Sequence, residues 1–118
     1  MGDNLKFTVV ITTAPYGKER AYSALRFALT SLIEGIDINI FLIEDGVYVA
    51  KKNQKPAEVP NYMEYLQNCI ESGATVKVCG PCCIARGLSE DDLIDDVKLA
   101  TMHDLVNFVK ESDKVITF

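Results

Sequence analysis

Two strand-length segments of the chain consist mostly of apolar and β-branched residues. They are LKFTVVITT at residues 5–13 and IDINIFLI at residues 36–43. Such runs are typical of parallel strands that are covered on both faces, because neither face is left to water. Between them, apolar positions at helical spacing predict a helix from Lys18 to Glu34, and Gly35 is its expected C-terminal cap. The pattern therefore predicts a strand, a helix and a second parallel strand as the first unit of the fold.

The later segments continue this alternation of strands and helices. A second helix is expected before ATVKV, residues 74–78, which is the predicted third strand. A short helix at residues 89–95 and a longer helix follow, and SDKVITF, residues 112–118, is the predicted closing strand. The apolar positions that indicate the second and the last helix are Val59, Tyr62, Met63, Leu66, Ile70, Met102, Leu105, Val106 and Val109.

Two residue pairs mark helix N-termini, and one connection is unusually long. Ser89 with Asp92 and Thr101 with Asp104 have the spacing of capping boxes. Residues 44–60 form a connection of about 17 residues, which is longer than compact domains normally tolerate without a function. Its VYVAKK centre is expected to be a short helix.

Length and charge limit the classes to which the protein can belong. A chain of 118 residues suits one α/β domain, residues 1–118, with a parallel sheet covered on both faces. The net charge of −5 argues against a nucleic-acid partner, which would require a basic face. We expect neither a signal peptide nor a membrane span, because no apolar run approaches about 18 residues. The expected location is the cytoplasm, where thiols stay reduced.

Three of the four cysteines lie close together in the segment VKVCGPCCIARG, residues 76–87. They are Cys79, Cys82 and Cys83. Because the segment follows the predicted third strand, Cys79 is expected at the carboxyl edge of the sheet, where loops converge around ligands. Backbone N–H donors at this edge and the positive charge of Arg86 would lower the pKa of a thiol. The position therefore favours a reactive thiolate at Cys79.

Two other interpretations of the cysteine cluster have less support. Thioredoxins also contain CGPC, but there a tryptophan precedes the motif and a later cis-proline packs against it. This chain has no tryptophan, and no proline follows Pro81. A metal site normally needs four ligands, and the remaining cysteine and histidine are Cys69 and His103. We therefore expect no metal and no cofactor within one chain, whereas a cluster shared between subunits stays open.

Several segments together resemble the DsrE/TusD-like family of small sulfur-relay proteins, also described as DsrE/DsrF-like. They are VVITTAPYGKERAYSALRFA at residues 9–28, FLIEDGVYVA at residues 41–50, Cys79 with the following Ala85-Arg86-Gly87, and DKVITF at residues 113–118. Their order and spacing are more specific than any single motif. The resemblance implies a three-layer α/β/α sandwich around a mainly parallel, five-stranded sheet of the DsrEFH-like type.

The resemblance also implies a role for Cys79, because in this family the cysteine that ends the third long strand accepts sulfur as a persulfide. Cys82 and Cys83 depart from the family pattern, and two interpretations of them stay open. They act as catalytic thiols that form a polysulfide with Cys79 or release sulfide, or they are small side chains that suit a tight loop. Arg86 and Gly87 belong to the matching turn and are expected to line the site.

The loops that follow the first two strands are expected to add binding residues. Tyr16 and Gly17 shape the first loop, and Tyr16 is expected to cover the thiol. Asp45 and Gly46 form a turn at the end of the second strand and are expected to line the pocket.

These observations predict a cytoplasmic sulfur carrier or sulfurtransferase that exchanges persulfide sulfur with donor and acceptor proteins. The resemblance further implies a homo-oligomer, a trimer or hexamer, for which Tyr48, Val49 and Tyr62 are candidate contacts. The alternative is a non-catalytic oligomer subunit or a small-ligand-binding module on the same fold, since a fold does not fix a function.

Overall fold

The computed structural model describes residues 4–58 and 60–118. Within these ranges, five strands form one sheet in the order β4-β3-β2-β1-β5, and every neighbouring pair is parallel. The strands are β1 (Lys6–Ile11), β2 (Asp37–Leu42), β3 (Thr75–Cys79), β4 (Lys98–Ala100) and β5 (Lys114–Thr117). The carboxyl ends of all five therefore lie along the same edge of the sheet.

Helices cover both faces of this sheet, as the sequence predicts. They are α1 (Arg20–Ile33), α2 (Tyr62–Glu71), α3 (Gly80–Ala85) and α4 (Met102–Lys110), with short 3-10 helices at Glu44–Ala50 and Glu90–Asp92. None of the helices in the described part of the chain is long and apolar enough to cross a membrane. The predicted three-layer α/β/α sandwich is confirmed, and its sheet is parallel throughout the described ranges.

Alternating side chains of the central strand β2 show which helices cover which face. Phe41 contacts Phe108 of α4 edge to face, with 6.2 Å between ring centroids. Asn39 donates its amide N–H to Glu111 just beyond α4 at 2.9 Å. The intervening Ile40 points the other way, because successive side chains of a strand alternate between faces, and it is fully buried on the side of α1 and α2. Both faces of β2 are thus excluded from water.

The helix ends follow the predicted capping chemistry. Both proposed boxes are formed, Ser89 with Asp92 and Thr101 with Asp104. The carboxylate of Asp104 accepts the Thr101 backbone N–H at 2.8 Å and also pairs with Lys77 of β3 at 3.3 Å. The N-terminus of α4 is therefore fixed to the sheet by side chains as well as by its own cap.

The structure differs from the sequence interpretation at three places. The apolar pattern located four of the five strands. The strand that it did not single out is β4, a segment of three residues. The loop expected after Cys79 is instead the helix α3, and the helix expected at residues 89–95 is only the 3-10 turn Glu90–Asp92. Val59, expected in the second helix, lies outside the described residues, and that helix begins at Tyr62.

The long connection after β2 belongs partly to the core. Its first seven residues form the 3-10 helix Glu44–Ala50, in which Val47, Val49 and Ala50 are fully buried. Gly46 in this helix lies directly against the end of β1, because a Cβ atom added to it would stand 2.0 Å from the carbonyl oxygen of Ile11. The connection is therefore wedged against the carboxyl edge of the sheet.

This close contact predicts the effect of adding a single methyl group at position 46. Replacing Gly46 by alanine should lower the free energy of unfolding by about 1–3 kcal/mol or more, because the new Cβ overlaps backbone that cannot move freely. Gly17→Ala is the matched control, since no other described residue except its two chain neighbours has an atom within 4 Å of the Cβ atom that it adds. The control should change the free energy of unfolding by no more than about 0.5 kcal/mol. Chemical denaturation measures both, and equal losses would contradict the steric explanation.

Candidate functional site

The cysteine cluster lies at the carboxyl edge of the sheet, as its position in the sequence predicts. β3 ends at Cys79, and α3 begins at the next residue. The Sγ atom of Cys79 accepts the backbone N–H of Cys82 at 3.4 Å, so Cys79 serves as the N-terminal cap of α3. Cys83 follows within the same helix and is almost completely buried. The three thiols thus surround the junction between β3 and α3, and all are free.

Cys82 is the partly exposed thiol of this cluster. Its Sγ atom accepts the backbone N–H of Glu44 at 3.2 Å. Glu44 stands at the start of the 3-10 helix that follows β2, and its φ of 56° lies in the left-handed region that non-glycine residues rarely adopt. The end of β2 therefore supplies a backbone donor to a thiol that follows β3.

Arg86 connects the same two segments through its side chain. Its Nε donates to Oδ1 of Asp45 at 2.9 Å, and its Nη1 donates to the carbonyl oxygen of Cys82 at 3.1 Å. The hydrogen bond with Asp45 raises the pKa of Arg86, which remains a cation. The guanidinium group thus holds α3 beside the Glu44–Ala50 helix and keeps a positive charge near the cluster.

Burial opposes the ionisation that the sequence led us to expect for Cys79. Its side chain is only 8% exposed. Burial is the main cause that raises its pKa to about 11, and a side-chain hydrogen bond with Cys82 acts in the same direction. The backbone N–H of Cys82 lowers the pKa but does not outweigh burial. The pKa of Cys79 therefore moves in the opposite direction to the one expected.

The other two buried thiols are also held in their neutral form. Burial raises the pKa of Cys83, and the charge of Arg86 only partly offsets this effect. Burial raises the pKa of Cys69 to about 12. Cys69 lies in α2, where its Sγ–H donates to the carbonyl of Leu25 at 3.7 Å, and it takes no part in the cluster.

Tyr16, which the sequence suggested as a cover for the thiol, contacts Gln54 and Tyr62. Its hydroxyl donates to the side chain of Gln54 and accepts the backbone N–H of Tyr62. Its ring lies against the ring of Tyr62, with 4.6 Å between centroids. Tyr16 therefore joins the first loop to the start of α2.

Gly17 and Asp45 lie together on the wall of a cleft of about 300 Å³ beside the cluster. The cleft is lined by Thr12, Thr13, Ala14, Gly17, Lys18 and Asp45. Gly46 is packed against β1, and Gly87 adopts a positive φ of 72° just beyond Arg86, the C-terminal cap of α3. Of the predicted binding residues, Arg86 contacts the backbone of Cys82 and Asp45 contacts Arg86, whereas Gly46 and Gly87 contribute backbone shape.

Sequence reasoning missed Glu44, although its N–H is a direct partner of a cluster thiol. A backbone donor leaves no signal in residue type, and only its position at a strand end could have suggested it. Among the residues that the structure describes, no group of three or more His, Cys, Asp or Glu side chains is arranged to hold a metal ion.

Comparison with known sequences identifies relatives of this chain. Residues 5–118 match the profile of the DsrE/DsrF-like family. The uncharacterized protein MJ0989 of Methanocaldococcus jannaschii is 75% identical over 114 residues, which cover 97% of this chain and 100% of that protein. Sulfurtransferase TusD of Cronobacter sakazakii is 31% identical over 91 residues, 75% of this chain and 71% of that protein.

A solved structure gives the same result for the fold. The crystal structure of the YchN protein of Escherichia coli superposes with a TM-score of 0.91 at 34% identity. The match covers 97% of this chain and 99% of that chain. The similarity therefore extends over the sheet, its covering helices and the edge that carries the thiols.

The buried thiols predict a loss of stability in alkaline solution. In the unfolded chain a thiol ionises near a pKa of about 8.5, whereas folding raises the pKa of Cys69 to about 12. Between these values the unfolded chain binds fewer protons, so the free energy of unfolding should fall as pH rises, by roughly 1 kcal/mol per pH unit for each such thiol.

Cys69→Ala should remove one of these contributions. Chemical denaturation between pH 9 and about 11 should therefore give a shallower decline for Cys69→Ala than for the original chain. The two proteins differ only at residue 69, so the contributions of all other groups cancel in the comparison. Parallel declines would show that Cys69 is not held neutral by burial.

Proposed function

The chain belongs to the DsrE/DsrF-like family, and from this membership we propose that it accepts persulfide sulfur on the thiols that follow β3 and passes it on. The observation that carries the proposal is the cluster itself, with three free thiols at the carboxyl edge of the sheet. The name of the relative TusD, a sulfurtransferase, supports the same chemistry. The family resemblance assigns the persulfide to Cys79, and we propose the cytoplasm as the location.

The surroundings of the cluster suit this reaction. Sulfur moves when a thiolate attacks the terminal sulfur of a donor persulfide, and the donor leaves as a thiolate. The exchange needs no oxidant, because one sulfur–sulfur bond forms as another breaks. The backbone N–H of Glu44 and the charge of Arg86 stabilise an anion at this edge. A reachable sulfur and groups that stabilise its anion are the two requirements for accepting sulfur.

The surface beside the thiols suits a protein as sulfur donor or acceptor. Ile84 lies two residues beyond Cys82 on α3, and 79% of its surface is exposed. Pro81, one residue before Cys82, is also exposed. Apolar side chains around a polar group are typical of protein contact sites. We therefore propose proteins, and not only small sulfur compounds, as donors and acceptors.

One observation favours the alternative of a small-ligand-binding module. The cleft of about 300 Å³ that adjoins Asp45 lies at the carboxyl edge of the sheet, where α/β folds bind ligands. The hydroxyl of Thr13, in its wall, is buried and has no hydrogen-bond partner among the residues that the structure describes. A protein that used only this cleft would not carry sulfur, so the two functions are separable by experiment.

Sulfur loading tests the proposed function directly. After incubation with a cysteine desulfurase and cysteine, mass spectrometry of the intact protein should reveal adducts that differ by whole sulfur atoms. A variant with serine at Cys79, Cys82 and Cys83 should form none, because a hydroxyl cannot hold a persulfide. Cys69→Ala keeps the whole cluster and should load as the original chain does. Absence of adducts on the original chain would contradict the sulfur-relay proposal and favour the ligand-binding alternative.

We also propose that the chain forms a homo-oligomer, a trimer or hexamer, through α4. The helix exposes an apolar stripe in which Met102 is 60% exposed, and Val106 and Val109 lie four and seven residues further on. A stripe at this spacing normally faces a core or a partner. Val49 and Tyr62, considered from the sequence, are buried within the chain itself and cannot provide the contact.

A charge placed in the stripe should disrupt this assembly. Val106→Glu should reduce the molar mass measured by light scattering at micromolar concentration to that of a single chain, because the contact would bury an unpaired carboxylate. Ile33→Glu, at the end of α1, is the matched control, since Ile33 is 78% exposed but lies outside the stripe. A single-chain mass for the unmodified protein would refute the proposed oligomer. An unchanged oligomer in Val106→Glu would refute the role of α4.

A further inference from the structure

The three thiols of the cluster differ in their access to solvent. Cys79 is 8% exposed and Cys83 is 1% exposed, whereas Cys82 is only partly buried. A persulfide on another protein must bring its terminal sulfur within bonding distance of the attacking atom. The sulfur that such a partner can reach without unfolding α3 is Cys82.

A backbone donor is aimed at the sulfur of Cys82. The N–H of Glu44 donates to its Sγ atom at 3.2 Å, so negative charge that develops on this sulfur during the exchange meets a donor that is already in place. The left-handed backbone of Glu44 is what aims this N–H away from the path of β2. Gly46, two residues further on in the same 3-10 helix, lies directly against the backbone of Ile11. The donor is thus held in place before any partner arrives.

Arg86 holds Cys82 from the other side. Its guanidinium group binds the Cys82 carbonyl at 3.1 Å and is itself fixed by Asp45 at 2.9 Å. The backbone that carries Cys82 is therefore tied to the same segment that supplies the N–H donor. This arrangement holds the Cys82 thiol beside the Glu44 N–H that donates to it.

Cys79 lies immediately behind Cys82. Its Sγ atom accepts the Cys82 backbone N–H at 3.4 Å. Cys79 ends β3, pairs with Ala100 of β4 and is only 8% exposed to solvent. A sulfur atom on Cys82 would therefore have the Cys79 thiol as a neighbouring internal acceptor.

We propose that Cys82 is the receiving thiol, which takes sulfur from the donor and hands it inward to Cys79. This inference rests on the proposed sulfur-relay function and divides its chemistry between two residues. In the first step the Cys82 thiolate attacks the terminal sulfur of the donor persulfide, and the donor thiolate leaves. Cys82 then carries the persulfide.

In the second step the Cys79 sulfur attacks the same terminal sulfur. The bond between that atom and Cys82 breaks as the bond to Cys79 forms, and the proton of the Cys79 thiol passes to the departing Cys82 sulfur. Atoms and electrons balance without an oxidant or reductant, because the reaction exchanges one sulfur–sulfur bond for another. The sulfur ends on the more sheltered thiol.

Alkylation of the native, sulfur-free protein tests the first step without sulfur chemistry. Substoichiometric iodoacetamide at neutral pH should modify Cys82 before Cys79 or Cys83, because thiolate character and access control the rate. Trypsin cleaves after Lys77 and Arg86, so one peptide carries all three thiols, and fragment ions assign the label. Labelling of Cys79 ahead of Cys82 would overturn the proposal. This measurement needs no variant that has to fold.

Initial rates of sulfur loading test the order of the two thiols. With a cysteine desulfurase and cysteine as donor, Cys82→Ser should load at least about tenfold more slowly, because the thiols that remain are buried and mostly protonated. Cys79→Ser should still take up sulfur, because the receiving thiol is intact. Its sulfur should be lost faster to added dithiothreitol, since it stays on the exposed residue.

The outcomes separate this inference from the proposed function. If the original chain loads and Cys82→Ser loads equally fast, the division between the two thiols is wrong while the sulfur-relay function stands. If Cys79→Ser takes up sulfur but loses it no faster than the original chain, the inward transfer is wrong. If the original chain takes up no sulfur, the proposed function fails, and this inference fails with it. Cys82→Ala and Cys79→Ala repeat the comparison without a new hydroxyl group.

Discussion

The backbone of the Glu44–Ala50 helix approaches the end of β1 so closely that no side chain fits between them at Gly46. A Cβ atom there would lie 2.0 Å from the carbonyl oxygen of Ile11. Glu44 and Asp45, the two residues before Gly46, take their positions from this contact. Glu44 supplies the N–H that reaches Cys82, and Asp45 supplies the carboxylate that holds Arg86. The geometry around the thiols therefore depends on a contact between two backbone segments in which no cysteine takes part.

This arrangement lets one site meet two opposed requirements of a sulfur carrier. A thiol that receives sulfur must be accessible and ionised, whereas a persulfide is better protected when water and other thiols are excluded. Burial favours the second requirement at Cys79 and opposes the first, as the direction of its pKa shift shows. Cys82, one helical turn further on and partly exposed, offers the access that Cys79 lacks, and its backbone N–H donates to the Cys79 sulfur.

Much of the fold could be predicted from the sequence, because buried parallel strands and amphipathic helices leave regular apolar patterns. The strands β1, β2, β3 and β5 and both capping boxes have this kind of local signal. The strand Lys98–Ala100 does not, since it has only three residues and two of them are exposed. α3 was hidden by the pair Gly80-Pro81, which is typical of turns but also suits the first turn of a helix.

The site could be located from the sequence but not understood from it. The position of Cys79 at a strand end follows from the chain order alone, whereas its burial depends on how β4 and α3 pack around it. The hydrogen bond from the Glu44 backbone to the Cys82 side chain joins residues 38 positions apart and has no sequence signature. For the same reason, the opposite shift of the Cys79 pKa was not predictable.

The order of the strands also has a consequence for how the protein is made. β1 lies between β2 and β5, so one of its hydrogen-bonding edges is completed only by a segment more than a hundred positions later, as the contact between Lys6 and Asp113 illustrates. During synthesis on the ribosome, that edge stays open until β5 has emerged. An open edge of a mostly apolar strand can pair with another nascent chain. Newly made molecules are therefore most exposed to aggregation during this interval, when a chaperone that covers β1 would have its greatest effect.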